Sequence, residues 1–163
     1  MKPTCDLYDD FLDAVGVLPA GLQHFGGRPA FHGPATPVKC FEDNSRIKEL
    51  SGQPGGGRVM VVDAGGSTRC AVLGDMIAAD AASNGWAGII IWGAVRDRLA
   101  LADLDLGVMA LATTPRKSTR RDEGQAEIEI RIGGTAVAPG DTIVADADGV
   151  LVFPKDGPSP SDD

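Results

Sequence analysis

Two short apolar runs do most to restrict how this chain can fold. Val59-Met60-Val61-Val62 is continuously apolar between Arg58 and Asp63, with glycines on either side, and Gly88-Ile89-Ile90-Ile91-Trp92 is a second such run closed by Gly93. Side chains of a strand alternate between two faces, so a run with no polar residue on either face belongs in a sheet that is covered on both sides. The segment between the runs carries a helix pattern, with Ile77, Ala81 and Ala82 on one side and Gly85 as its stop. The middle of the chain is therefore a strand-helix-strand unit. Such a unit brings the start of its helix and the end of its second strand to one edge of the sheet, where ligands of α/β proteins usually sit.

The flanking segments complete the pattern. Asp6, Tyr8, Asp9, Phe11 and Leu12 suggest a short helix ending before Gly16, and Gly26-Gly27 and Gly33-Pro34 mark turns. Ala35 to Phe41 is expected as a strand, and Glu42-Asp43-Asn44-Ser45 offers capping residues for a helix through Leu50. After Asp97, a short helix is expected over Leu99 to Leu106, a buried strand over Gly107 to Ala112, and an exposed polar loop over Thr113 to Gly124 whose Lys117, Arg120 and Arg121 read as solvated, with guidance of an acidic substrate as the alternative. The alternation Ile128, Ile130, Ile132 indicates a half-buried antiparallel strand with Gly133-Gly134 as its hairpin turn. Val137, Ile143, Val144 and Val150 to Phe153 continue the β pattern. Alternating elements in the middle and a nearly pure β segment at the end favour two sheet layers with helices outside. The expectation is one three-layer β/β/α domain over residues 1–153 and a flexible polar tail over 154–163.

Composition excludes several classes of function. A chain of 163 residues with 43% hydrophobic content can build one sizeable core. A formal charge of −8 and a pI near 4.6 argue against nucleic acid or an anionic membrane as the direct partner, since phosphate binding draws on clustered Lys and Arg. Cys5, Cys40 and Cys70 are odd in number, lack metal-type spacing, and read as reduced thiols in the cytoplasm. Trp86 to Val95, the longest apolar run, is too short to span a bilayer. His24 and His32 have no neighbouring nucleophile and read as turn or core residues, as do Asp63 and Asp146 at strand ends. Asp63-Ala64-Gly65-Gly66-Ser67-Thr68 departs from the Gly-x-Gly-x-x-Gly spacing of a dinucleotide or methyl-donor site and reads as a tight turn.

The chemistry concentrates in Gly74-Asp75-Met76-Ile77 and Gly93-Ala94-Val95-Arg96-Asp97. Backbone N–H groups at a helix start can hold a carboxylate. A planar guanidinium such as Arg96 grips carboxylate or enolate oxygens at two points. The hard oxygens of Asp97 suit Mg²⁺ or Mn²⁺, and Mg²⁺ commonly takes only one or two protein carboxylates and keeps several waters. These residue types together suit a small keto acid held on a divalent cation.

From Phe25 to Phe153 the chain resembles the RraA-like family, which also holds class II 4-hydroxy-4-methyl-2-oxoglutarate aldolases. The segments that carry the resemblance include His24-Phe25-Gly26-Gly27-Arg28, Lys39-Cys40-Phe41-Glu42-Asp43-Asn44, Val61 to Ser67, Leu73 to Ala78, Asn84 to Gly88, Gly93 to Asp97, Pro115-Arg116-Lys117-Ser118, Pro139-Gly140-Asp141 and Ala145 to Gly149. The resemblance implies a swivelling-type β/β/α fold and a homotrimer or dimer of trimers with sites between subunits. It implies amides of Gly74, Asp75, Met76 and Ile77 on the substrate, Arg96 on the pyruvate oxygens, Asp97 as the direct metal ligand, and Asp75 acting on the metal through water. The implied activity is a metal-dependent lyase that releases pyruvate from 4-hydroxy-4-methyl-2-oxoglutarate-type acids and decarboxylates oxaloacetate. The rival role is a non-catalytic regulator that binds and inhibits a ribonuclease. Two departures thin the implied metal shell: Ala100 stands where family aldolases often carry an acid, and the long C-terminal helical segment of larger members is missing.

Overall fold

The computed structural model describes residues 1–160. The strands are β1 (Gly16–Val17), β2 (Gln23–His24), β3 (Phe31–Lys39), β4 (Val59–Asp63), β5 (Ala71–Leu73), β6 (Gly88–Val95), β7 (Gly107–Thr113), β8 (Gln125–Ala126), β9 (Ile130–Ile132), β10 (Thr135–Val137), β11 (Thr142–Asp146) and β12 (Gly149–Phe153). The helices are α1 (Thr4–Phe11), α2 (Ser45–Ser51), α3 (Asp75–Ser83) and α4 (Arg98–Ala102). One curled sheet runs in the order β1-β12-β11-β3-β4-β6-β7-β2, with β5 beside the end of β6 and β8 beside the end of β3.

Strand β3 belongs to both layers. Its first half, Phe31 to Pro34, pairs antiparallel with β11, and its second half, Ala35 to Lys39, pairs parallel with β4. The antiparallel layer β1, β12, β11 thereby folds over the parallel layer β4, β6, β7, and helices cover the parallel layer's other face. The alternation of side chains shows the three layers directly. Met60, Val62, Ile89, Ile91, Val108 and Ala110 pack with α2 and α3, among them Ile47, Ile77 and Ala81. Val59, Val61, Ile90 and Met109 point the other way and pack with Ile143, Ala145, Val150 and Val152 of the antiparallel layer. All of the parallel-strand residues just named are essentially inaccessible to solvent, which is why both faces of β4 and β6 had to be apolar. Leu7 of α1 closes a third cluster with Val144, Leu151 and Phe153.

Phe31 fixes the distance between the layers. Its ring lies against Gly88 and Gly107, where an added Cβ would come within 2.4 and 2.1 Å of ring carbons. Trp86, buried before β6, donates its indole N–H to the Gln53 carbonyl at 3.1 Å and carries the Arg58 guanidinium 4.6 Å from its ring centre.

Several boundaries differ from the sequence expectation for physical reasons. Strand β3 begins at Phe31, because Gly33-Pro34 continues the ladder with β11 instead of turning. Strand β6 runs on to Val95, and β5, too short to show a period, adds a strand just before α3. Helix α4 ends at Ala102, earlier than expected. The expected continuous strand through Ile128 is broken at Glu127, whose φ of 58° is left-handed and whose N–H donates to the Pro37 carbonyl at 2.8 Å. The expected Gly133-Gly134 hairpin is present, pairing Thr135 with Ile132. Of the expected tail, Lys155 donates its N–H to Asp141 Oδ1 at 2.9 Å and Gly157 donates to the Pro154 carbonyl at 2.9 Å, while residues 161–163 lie outside the described residues.

Candidate active site

The site begins with the parallel pairing of β5 and β6. This pairing, continued by the Arg96 N–H to the Leu73 carbonyl at 2.9 Å, sets Arg96 and Asp97 beside the start of α3. Gly74 is the residue before the helix, with extended backbone (φ −128°). A Cβ there would meet Asp97 Oδ2 at 2.8 Å and Arg96 Cγ at 3.2 Å, so glycine is what lets both side chains lie over the helix start. Asp97 itself adopts a left-handed backbone (φ 60°, ψ 45°) and its carbonyl accepts the Leu101 N–H at 2.9 Å, opening α4. That geometry turns its carboxylate back across the edge of the sheet.

Asp97 Oδ2 accepts the Asp75 N–H at 3.0 Å. The first amide of α3 thus already holds a carboxylate belonging to the chain. Met76 and Ile77, whose N–H groups have no carbonyl before them in the helix, are among the residues that line the cleft. Arg96 Nε stands 3.9 Å from Asp97 Oδ2, too far for a hydrogen bond, and both side chains are about one-third exposed, at 36% and 35%. The pair is adjacent without being locked together, so each can serve an incoming group.

These residues line a cleft of about 320 Å³ with Ala71, Leu73, Asn44, Lys117 and Arg120. A second hollow of about 280 Å³, bounded by Arg98, Thr113, Thr114 and Pro115, shares Arg96 and Asp97. A hollow of similar size, about 330 Å³, lies against α1; Tyr8, Val17, Val150 and Leu151 line it with Thr4, Cys5, Asp9 and Asp148, and it holds no cationic side chain to set against those acids. Size alone therefore does not select the site; the convergent polar groups do.

The far wall of the cleft comes from the polar loop whose basic residues were expected to be solvated or, alternatively, to guide an acidic substrate. The Ala71 N–H donates to the Arg116 carbonyl at 2.7 Å and the Ser118 N–H to the Ala71 carbonyl at 3.0 Å, which lays the loop beside β5. Asn44 and Thr119 are joined by a backbone bond of 3.2 Å, and the Asp122 N–H reaches Ser45 Oγ at 2.9 Å. Asp43, fully buried at 0% exposure, accepts the N–H groups of Ser45 and Arg121. Burial pushes its carboxyl upward, but the Ser45 hydroxyl and these amides outweigh that and hold it below the ordinary aspartate value. Beside it, the Arg69 guanidinium and then the Ser67 hydroxyl bring Glu42 down to about 2. Asn44, Lys117 and Arg120 are the cleft residues that sequence reasoning did not assign to the site; the signal was a loop dense in cations within an acidic chain.

The donor set fits a hard divalent cation. Asp97 and Asp75 offer carboxylate oxygens in an open cleft where water can fill the remaining positions, as Mg²⁺ and Mn²⁺ prefer. Among the described residues no cluster of three or more His, Cys, Asp or Glu occurs, so a cage built entirely of protein ligands is not what this site offers. His24 Nε2 lies 2.5 Å from the Asp146 carbonyl oxygen, and the Asp146 carboxylate accepts the Thr4 N–H and hydroxyl at 2.7 and 2.6 Å. Asp63 accepts the Gly65 N–H at 2.9 Å and pairs with Lys39 at 2.7 Å. These contacts tie all three residues into the fold away from the cleft. No helix among the described residues is long and apolar enough to cross a membrane.

Comparison with known proteins identifies the family and the fold. A protein of Alcanivorax borkumensis with the provisional name 4-hydroxy-4-methyl-2-oxoglutarate aldolase is 55% identical over 154 residues, covering 93% of this chain and 96% of its own length. The structure of the RNA-processing inhibitor RraA from Thermus thermophilis superposes with a TM-score of 0.93 at 38% identity, covering 99% of this chain and 98% of that one. A structure from Geobacillus kaustophilus, named as an S-adenosylmethionine:2-dimethylmenaquinone methyltransferase, superposes with a TM-score of 0.90 at 41% identity, covering 95% of this chain and 96% of that one. The family model for RraA-like proteins, described as Aldolase/RraA, matches residues 4–152, and the chain belongs to that family.

Proposed function

We propose that this protein is a divalent-metal-dependent lyase that cleaves 4-hydroxy-4-methyl-2-oxoglutarate-type 2-oxo acids to pyruvate and decarboxylates oxaloacetate. The observation that carries the reading is the convergence of Asp97, Arg96, Asp75 and the α3 start on one cleft. Asp97, with Asp75 close by, would hold Mg²⁺ or Mn²⁺, which when bound supplies Lewis acidity toward the 2-oxo group. Arg96 and the N–H groups of Met76 and Ile77 bind and orient the substrate carboxylate. As negative charge develops toward the enolate of pyruvate, the Arg96 guanidinium stabilises it, and this stabilisation is greater in the transition state than in the ground state. Asp75 takes up the proton of the 4-hydroxyl, relayed by water, as the bond between C3 and C4 breaks, and the same relay returns a proton to C3 of the enolate to complete pyruvate. Oxaloacetate reaches the same enolate by losing carbon dioxide and needs no base.

Assembly as a homotrimer or dimer of trimers accompanies this reading. Met76 and Leu99, exposed at 79% and 85%, flank the polar centre and are apolar surface that a subunit boundary would cover. The rival reading, a regulator of a ribonuclease, is favoured by the likeness to the RNA-processing inhibitor and by the acidic charge. A methyl-donor site has less support: the turn at Gly65 lacks the cofactor spacing, and the Phe41 ring lies where a Cβ on Gly65 would be, 2.7 Å away. The test is pyruvate release from oxaloacetate by chelator-treated protein with and without added Mg²⁺ or Mn²⁺. Release that returns with the metal is expected; equal turnover in the presence of chelator would discard the metal, and no turnover under any condition would leave the regulator reading ahead.

A further inference from the structure

We infer that Asp97 is a built-in competitor for the anion site at the start of α3, and that it leaves this place only when it takes up the cation, so that the cation must bind before a carboxylate can. This rests on the metal-dependent reading above and adds to it an order of binding. One oxygen of Asp97 stands where the two anion-binding elements meet. Oδ2 accepts the Asp75 N–H at 3.0 Å, lies 3.9 Å from Arg96 Nε, and would be 2.8 Å from a Cβ on Gly74. A substrate carboxylate gripped by both Arg96 and the first amide of α3 needs that same position. Two carboxylates cannot share it, because like charges in contact repel and the second would find the Asp75 amide already engaged.

The contact is able to open. It consists of one exposed hydrogen bond, and the distance to Arg96 is too long for a second. The backbone of Asp97, by contrast, is fixed: its carbonyl accepts the Leu101 N–H at 2.9 Å, so the carboxylate can turn about its side-chain bonds while the left-handed turn that opens α4 stays in place. Gly74 offers no Cβ to obstruct that movement. Asp97 also borders both the cleft and the second hollow beside it, which gives the turned carboxylate open space in which to meet a cation. The Asp75 amide then joins those of Met76 and Ile77, and the positive end of the α3 dipole is no longer offset by a charge of the chain itself. One carboxylate that occupies the anion site in one position and ligates the cation in the other couples the two sites, so that each ligand raises the affinity of the other by the same factor. A cleft that lacks its cation is thereby closed to unproductive carboxylates.

The test follows the Asp75 amide of the isotope-labelled full chain by NMR, with hydrogen exchange read at the same resonance. In chelator this N–H should be protected. Saturating Mg²⁺ alone should shift the resonance and quicken its exchange by about tenfold or more, and pyruvate added afterwards should slow it again. In Asp97→Gly, which suits the left-handed turn, the amide should exchange fast with or without Mg²⁺, and calorimetry in chelator should find pyruvate bound tighter than by the wild type by about tenfold or more. Asp75→Asn removes a carboxylate charge from the same cleft without removing the contact, and should gain less than about threefold. A gain in Asp97→Gly no larger than that in Asp75→Asn overturns the inference. A wild type that binds both Mg²⁺ and pyruvate while its Asp75 amide stays protected in Mg²⁺ overturns the inference alone, since the contact would then serve only to orient Asp97. A wild type that binds neither overturns the metal-dependent reading with it.

Discussion

The two walls of the cleft are built by different physics. The wall bearing Arg96 and Asp97 is the edge of a parallel sheet whose strands are buried on both faces, so its position is set by packing that the whole domain shares. The wall bearing Lys117 and Arg120 is a polar loop held by backbone bonds to β5 and by the buried Asp43, contacts that sustain little else. Chemistry placed on the first wall should be lost only by changing the reacting side chains themselves. The second wall should be separable from the fold, a part that can be loosened while the domain stands.

The largest expected effect lies on the rigid wall. Arg96→Lys keeps the charge but loses the planar fork, and should lower kcat for oxaloacetate by about 100- to 1000-fold with thermal stability near that of the wild type. Asp97→Asn should lose at least as much activity, and Mg²⁺ should no longer restore it; a fully active Asp97→Asn protein would remove this residue from the site. Next comes Asp43→Ala, which leaves the amides of Ser45 and Arg121 without their buried acceptor and should cost about 1–3 kcal/mol in chemical denaturation. Hydrogen exchange should quicken in residues 116–122 and stay slow in β4 and β6. Uniform quickening would show that the loop is not separable. Gly74→Ala is subtler, because its new Cβ meets the mobile end of Asp97 instead of backbone. Activity should fall by about tenfold or more through displacement of that carboxylate, with under about 1 kcal/mol of lost stability.

The smallest effect is one of pH. Glu42, held near 2 by Arg69 and Ser67, is depressed from its value of 4.5 in the unfolded chain. In that interval the unfolded state binds more protons, so the stabilisation is complete above about 4.5 and is lost as pH falls toward 2. Asp43 is depressed in the same direction and adds to the loss. The thermal midpoint should drop across this interval in the wild type and drop less in Glu42→Gln, the difference being small because the ion pair meets solvent. An identical drop in both proteins would show that Glu42 does not help hold the second wall.

What could be seen in the sequence divides along the same boundary. The runs Val59 to Asp63 and Gly88 to Trp92 announced strands covered on both faces, and the layers follow from that pattern. Gly74, Asp75, Arg96 and Asp97 could be placed at one sheet edge because a strand-helix-strand unit leaves little choice of geometry. Strand β5 escaped notice because Ala71-Val72-Leu73 spans only about one and a half periods of alternation. The break at Glu127 was hidden because its left-handed backbone answers to the Pro37 carbonyl, 90 residues away in sequence. The second wall was hidden for the same reason. Asp43 and Arg121 are 78 residues apart, and no local pattern in either segment reports that they meet.

The left-handed backbone of Asp97 has a genetic consequence. Aspartate codons become those of asparagine, glycine or alanine by single base changes, yet these three neighbours are unequal at φ 60°. Asparagine and glycine settle there with little strain, whereas alanine pays the penalty of its Cβ. A lineage could therefore shed this carboxylate in one mutational step and keep the turn that opens α4 intact. Descendants of such a step would inherit the whole architecture with this carboxylate gone, and selection would be free to retain them for whatever the surface binds.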